Sequence, residues 1–283
     1  MARLARATGA LMVRPLMADE AQPAPSIEAV RAQMDAIDDQ ILDLVRARTA
    51  FGDQIALAKG PDNGSPLRPA REARLMRRLF NNAGPEMDRD LIIEVWRALI
   101  AANIRRQGGI EIVVASAGDI VRPFDLARKH FGAATKVTRA VDPRDALNKA
   151  IDQKRTAAVL PWPTGGGVGM WWPMLSESRY HGLALIGALP FRGADEPEAA
   201  IVAPGVTLEE AGADKTFGLA FDPHYRAARA LNEAQLTGRE AARVRETVLI
   251  EMDGFVGRDD GRIGHAMRAG LEGFRIVGAY ARV

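Results

Sequence analysis

The sequence predicts two folds in series: an all-helical domain over residues 26–108 and an α/β domain over residues 109–283. Three observations carry that expectation. From Val30 to Ile55 apolar residues recur at steps of three and four, the period of a helix seam that packs against a partner. After Gly108-Gly109 the period changes to a β-rich run, residues 110–115. Beyond that joint, helical and strand-like segments alternate, as they do in an α/β layer.

Taken in order, residues 1–25 read as a disordered tail. The stretch GALMV is too short for a signal-peptide core, and Arg14 interrupts it, so the expected location is cytoplasmic, with Met1 or Met17 as the start. Ser26 is placed to cap a first helix that runs to about Lys59, with Glu28 in its first turn. GPDNGSPLRP, with three prolines and two glycines, ends it. A second helix is expected from about Ala70 to Asn81 and a third from about Asp88 to Arg106. The third carries Ile92, Val95, Trp96, Leu99 and Ile100 on one side. A first helix of more than thirty residues is long for a small domain and implies pairing with another chain.

In the α/β part, FDLARKHFG and DPRDALNKAID read as helices, and TAAVLPW, LALIGALPF and EAAIVAP as strands. The last seventy residues read strand (KTFGLAF), helix (HYRAARALNEAQL), strand (TVLIEMDGF), helix (GRIGHAMRAGLEG), strand (FRIVGAYARV). VLPWPTGGGVG lacks the GK[ST] ending of a phosphate-binding loop and opens no helix. It reads instead as a tight turn beneath Trp171 and Trp172.

Composition narrows the chemistry. The 283 residues are 47% hydrophobic and 26% charged, which is globular. The 38 basic and 36 acidic residues leave a net charge of only +2, and no basic run interleaves with aromatics; nucleic acid is not an expected partner. There is no cysteine, so disulfides, thiolate metal sites and cysteine nucleophiles are excluded. The four histidines, His130, His181, His224 and His265, are scattered without ligand spacing, and no metal or cofactor is expected. No apolar run is long enough to span a membrane.

The functional signal is a set of cations where apolar residues belong. Arg48 falls on the first helix's seam, and Lys59, eleven residues on, lies about three turns away on the same face. A seam arginine either pairs with a buried carboxylate or receives an anion. The second helix opens with Arg71 and Glu72. The third continues its apolar stripe into Asn103 and Gln107, four apart and so on one face. Three helices thus turn polar on an inward face with cations in excess, as in a pocket for a small anion. Arg31 lies 17 residues before Arg48, roughly 25 Å along one helix. It is either a solvated surface arginine or a group donated to the pocket by a second, antiparallel chain.

The combination VRAQMDAIDDQILDLVRARTAFGDQIALAK, PLRPARE and LIAANIRRQ resembles the all-helical chorismate mutase family over residues 26–107. The resemblance implies an interlocked helical homodimer that converts chorismate to prephenate by an intramolecular Claisen rearrangement in aromatic amino-acid biosynthesis. It also implies roles. Arg48 and the partner chain's arginine at position 31 clamp the carboxylates, and Arg71 adds positive charge. Lys59 and Gln107 donate to the breaking ether oxygen, Glu72 accepts from the ring hydroxyl, and Asn103 stands where the family often has serine. The acidic residue that many members carry a few positions before the Arg-Glu pair is missing from Leu67-Arg68-Pro69-Ala70.

Residues 112–204 resemble the prephenate dehydratase fold more weakly, and the tail resembles its small ACT domain. The catalytic N-x-T-R-F motif has no counterpart: the nearest stretch is Asp214-Lys215-Thr216-Phe217, without arginine. The P-G-x-L and E-S-R-P motifs that bind phenylalanine are absent too. The expectation is an active mutase fused to a degenerate dehydratase/ACT-like domain. The alternatives are a bifunctional mutase/dehydratase and a non-catalytic subunit that binds chorismate or another aromatic metabolite.

Overall fold

A computed structural model describes residues 26–59, 65–116, 118–192, 197–281 and 283, without the side chains of Ala56 and Lys59. The expected tail over residues 1–25 lies outside them. The chain forms two compact units, Met1–Ala47 and Arg48–Val283.

Of the first unit, residues 26–47 are the leading part of helix α1 (Ile27–Lys59). Ser26 caps it as expected, its Oγ accepting from the Ala29 N–H at 3.1 Å. Every residue from Ser26 to Ala47 is exposed except half-buried Val45. The seam residues Val30, Met34, Ile37, Ile41 and Leu44 are all among the exposed apolar side chains.

The second unit joins the end of α1 to α2 (Pro69–Ala83), α3 (Arg89–Arg106) and an α/β layer. The α/β layer is one nine-stranded sheet in the order β2-β1-β3-β5-β4-β9-β6-β8-β7. Its strands are β1 (Glu111–Val114), β2 (Lys136–Arg139), β3 (Thr156–Pro161), β4 (Leu183–Leu189), β5 (Ala199–Pro204), β6 (Asp214–Phe221), β7 (Gly238–Val244), β8 (Thr247–Asp253) and β9 (Glu272–Ala281). Helices α4 (Val121–Phe131) and α5 (Pro143–Asp152) make the parallel crossovers β1-β2 and β2-β1-β3; α6 (Ala227–Glu233) and α7 (Gly261–Arg268) serve the last four strands. The two halves join where β4 runs parallel to β9 at Leu185 and Gly278. Only glycine permits this joint, because a Cβ on Gly278 would sit 2.1 Å from the Leu185 carbonyl oxygen.

Helices cover both faces. Leu147 and Ala150 of α5 pack with Trp171, Trp172 and Tyr180 over one. Leu126 and Phe131 of α4, with Ile104 of α3, pack over the other. The loop after β3 is the expected tight turn: Gly167 takes φ +62°. The indoles of Trp171 and Trp172, both buried, donate to the Pro161 and Thr164 carbonyls at 2.7 and 2.9 Å. Two strands escaped the sequence reading, β2 and β7. Both are sheet edges, KVTR and GREAARV, whose charges and absent alternation are what an edge strand carries to resist further pairing.

The change of period at residue 108 marks a change of secondary structure, while compactness divides the chain at Ala47/Arg48. The reason is that α2 and α3 bury apolar surface on the sheet layer. Ala70 and Ala73 of α2 pack with Ala211, against Ala281 and Val283. Arg77 donates to the carbonyls of Ala211 and Gly212, and Arg74 to that of Glu210.

Candidate active site

The end of α1 packs on α3 through three successive contacts. Arg48 Nη1 donates to the Leu99 carbonyl at 3.2 Å. Gly52 is buried against Asn103; a Cβ there would lie 2.9 Å from Asn103 Oδ1, so a side chain would displace the amide. Arg106 Nε donates to Asp53 Oδ1 at 2.6 Å, and its Nη2 to Oδ2, a bidentate pair. Positions rise together on both helices, so they run in the same direction and α1's last turn comes level with Gln107.

Between α1, α2 and α3 lies a cavity of about 550 Å³, walled by Arg48, Arg71, Arg74, Leu75, Arg78, Leu79 and Trp96. Arg71, Arg74, Leu75 and Arg78 stand at i, i+3, i+4 and i+7, one face of α2. The described walls carry four guanidiniums and no carboxylate. Burial, and after it the charge of Arg71, pushes the Arg48 guanidinium below its ordinary range. Arg74 is paired with Glu209 at 3.2 Å. The cavity wall keeps an excess of cations, which an anion would relieve.

Arg48 and Arg71 therefore line the same cavity. Asn103 and Gln107 are half-buried and continue the α3 face that carries Trp96 and Leu99. Gln107 follows the last residue of α3, and its Nε2 donates to the Asn103 carbonyl at 3.3 Å. Lys59 is the last residue of α1; its side chain lies outside the described residues. Arg31 lies in the first unit and is exposed.

Glu72 goes elsewhere. Adjacent residues on a helix point about 100° apart, so Arg71 turns into the arginine cavity and Glu72 turns to α3. There its Oε2 accepts from Arg97 Nη1 at 2.6 Å, with Arg97 3% exposed. Sequence reasoning missed Arg74, Arg78 and Trp96 as wall residues. Their spacing from Arg71 was the available signal. Arg97 was not singled out in the sequence.

These helices form a helical module around an arginine-lined cavity, and comparison says to which family it belongs. Residues 30–108 match the family model of chorismate mutase type II. Over 78 residues the chain is 33% identical to the intracellular chorismate mutases of Mycobacterium tuberculosis and Mycobacterium bovis, spanning 28% of this chain and 72% of each relative. The chain belongs to the type II chorismate mutase family. Among solved structures it shares 14% identity and a TM-score of 0.44 with GqqA, described as a novel type of quorum-quenching acylase, over 62% of this chain and 95% of that one. Prephenate dehydratase from Arthrobacter aurescens, in complex with L-Phe, gives 14% identity and a TM-score of 0.41 over 61% and 90%. Likeness at that level assigns no activity. Among the described residues, no helix is long and apolar enough to cross a membrane.

Proposed function

We propose that this protein is a chorismate mutase whose active site is the arginine-walled cavity of α1, α2 and α3, completed by a second copy of the chain. The observation that carries the reading is the cluster of Arg48, Arg71, Arg74 and Arg78 around one cavity, of which Arg74 alone has a described carboxylate partner, Glu209, an excess of positive charge that suits a dianionic substrate. The reaction is a pericyclic shift: the ether C–O bond breaks as a C–C bond forms, and no proton, nucleophile, metal or redox partner takes part. The protein needs only to hold the substrate with its reacting carbons close and to stabilise negative charge on the ether oxygen.

In this reading Arg48 and Arg71 bind the carboxylates, and Lys59 and Gln107 donate to the ether oxygen, with Asn103 beside them. Arg31 comes from the partner chain. The exposed seam of α1 supports that partner, since each of its large apolar side chains gains roughly 1.5–3 kcal/mol when fully buried. Glu72 reaches the substrate hydroxyl only when released from Arg97. A cytoplasmic location fits a cofactor-free metabolic enzyme.

The α/β layer is proposed to be non-catalytic. Thr216, in the stretch nearest to the dehydratase motif, is buried and spends its hydroxyl on the Gly254 carbonyl and the Val256 N–H. Following chorismate consumption by the purified chain, with product analysis before any acid treatment, tests both parts. Prephenate alone is expected. Enzymatic phenylpyruvate would overturn the non-catalytic assignment, and absence of turnover would overturn the mutase.

A further inference from the structure

Neighbouring residues of α2 and α3 are divided between two surroundings. Arg71 of α2 and Trp96 of α3 wall the arginine cavity. Glu72 and Arg97, each the next residue in sequence, turn away and meet at 2.6 Å beside Phe131, Ile186 and Phe191 of the α/β layer. The division matters because Glu72 adjoins a cavity whose walls carry an excess of cations. Without a partner of its own, this carboxylate would be drawn to those guanidiniums as a tethered anion, in the place of a bound one.

The pair is built to hold. The Arg97 side chain is 3% exposed and that of Glu72 14%. Burial pulls the Arg97 guanidinium below its ordinary range, and the charge of Glu72 opposes that pull. Phe191 lies over the guanidinium, 4.0 Å from ring centroid to Cζ, in a cation–π contact. Arg97 Nε and Nη2 are buried without a hydrogen-bond partner, so among the described residues Glu72 is the one side chain that hydrogen-bonds this arginine. Were Glu72 to leave, a buried charge would stand uncompensated. Breaking a buried pair in that way costs more than one hydrogen bond from a substrate hydroxyl to a carboxylate returns. A substrate hydroxyl therefore does not draw Glu72 off Arg97.

We propose that Arg97 is a positioning residue of the anion site: it sequesters Glu72 and so keeps the arginine cavity free of an internal competitor for its dianion. The identity of that dianion rests on the mutase reading; the competition does not.

The test is steady-state turnover of chorismate by the full chain, with unfolding followed by circular dichroism. Arg97→Met leaves Glu72 without its partner and should raise KM roughly tenfold or more, while kcat stays within about threefold of the parent. Arg97→Lys, which keeps a charge on Glu72, should bring KM most of the way back. In Arg97→Met/Glu72→Leu the competitor is gone, and KM should return to within about threefold of the parent. A KM that stays level or falls in Arg97→Met overturns the proposal; a fall would mean that the freed Glu72 serves the substrate hydroxyl. So does a double variant that keeps the raised KM, which would trace the effect to the packing of Arg97 alone. Should Arg97→Met not fold, Arg97→Gln, a neutral hydrogen-bond donor, takes its place with the same expected rise. Failure of the mutase reading shows separately, as a parent that turns nothing over, and the competition is then read with sulfate. Sulfate should raise the unfolding midpoint of the parent and of the double variant more than that of Arg48→Met, which reports the general effect of the salt. Arg97→Met should rise no more than Arg48→Met. An equal rise in the parent and in Arg97→Met overturns the proposal.

Discussion

At the scale of single residues, the arginine cavity works by what it lacks. Arg48 is shifted below its ordinary range by burial and by Arg71, and no described carboxylate neutralises the pair. The proposed donors to the ether oxygen should matter most in the transition state, where charge develops. Gln107→Ala and Lys59→Ala are each expected to lower turnover about 100- to 1,000-fold, with an unchanged circular dichroism spectrum and unfolding midpoint. A rate within a few-fold of the parent in either variant would remove that residue from the site. His130 gives a second residue-level prediction. Burial, and then the charge of Arg97, holds its pKa well below 6.5, so the folded protein keeps it neutral where the unfolded chain protonates it. The unfolded state therefore binds the extra proton below about pH 6.5. The stability associated with neutral His130 is complete above that pH and is lost as pH falls toward the folded pKa, by up to about 1.4 kcal/mol per pH unit. Denaturant midpoints between pH 7.5 and 5 should fall more steeply for the parent than for His130→Leu; parallel slopes would show that His130 titrates normally.

At the scale of elements, α1 has two lives. Its last turns pack on α3 through Arg48, Gly52 and Asp53, while in its leading part, over residues 26–47, every residue but half-buried Val45 is exposed. The seam was legible because a helix period writes itself into the order of residues, and so was the anomaly of Arg48 within it. Leu44 is 70% exposed, and Leu44→Glu is expected to convert a dimer to monomer by light scattering and to abolish turnover together with it. A dimer that survives the substitution would place the partner on another face. What the order of residues did not show was the rotation of α2. PAREARL offers Arg71 and Glu72 as neighbours, and only the packed helix reveals that Arg71 faces the arginine cavity while Glu72 pairs with Arg97 of α3. Gly52 is similar: in sequence it is a flaw in a helix, in the fold it is the space that seats Asn103.

At the scale of the molecule, α2 and α3 stand on the sheet layer. Residues 26–108 expressed alone would uncover Ala70, Ala73 and Ile104, and would strip Arg74 and Arg77 of the carbonyls at 210–212. Such a fragment is expected to unfold at a markedly lower temperature than the full chain, or to aggregate. Equal midpoints would show that the sheet layer contributes nothing to the helices. The order of elements, the helical period of residues 26–107, the change at Gly108-Gly109 and the cations at 48, 59 and 71 were all determined by the sequence itself, because they depend on spacing along the chain. So was membership of the mutase family, which the motif carries. The two edge strands, the union of nine strands at Gly278, the docking of α2 and α3 on the sheet and the pairing of Glu72 with buried Arg97 were decided only by tertiary structure. Each is a contact between residues distant in sequence, and such contacts follow from which surfaces pack, a property that no local pattern of residues contains.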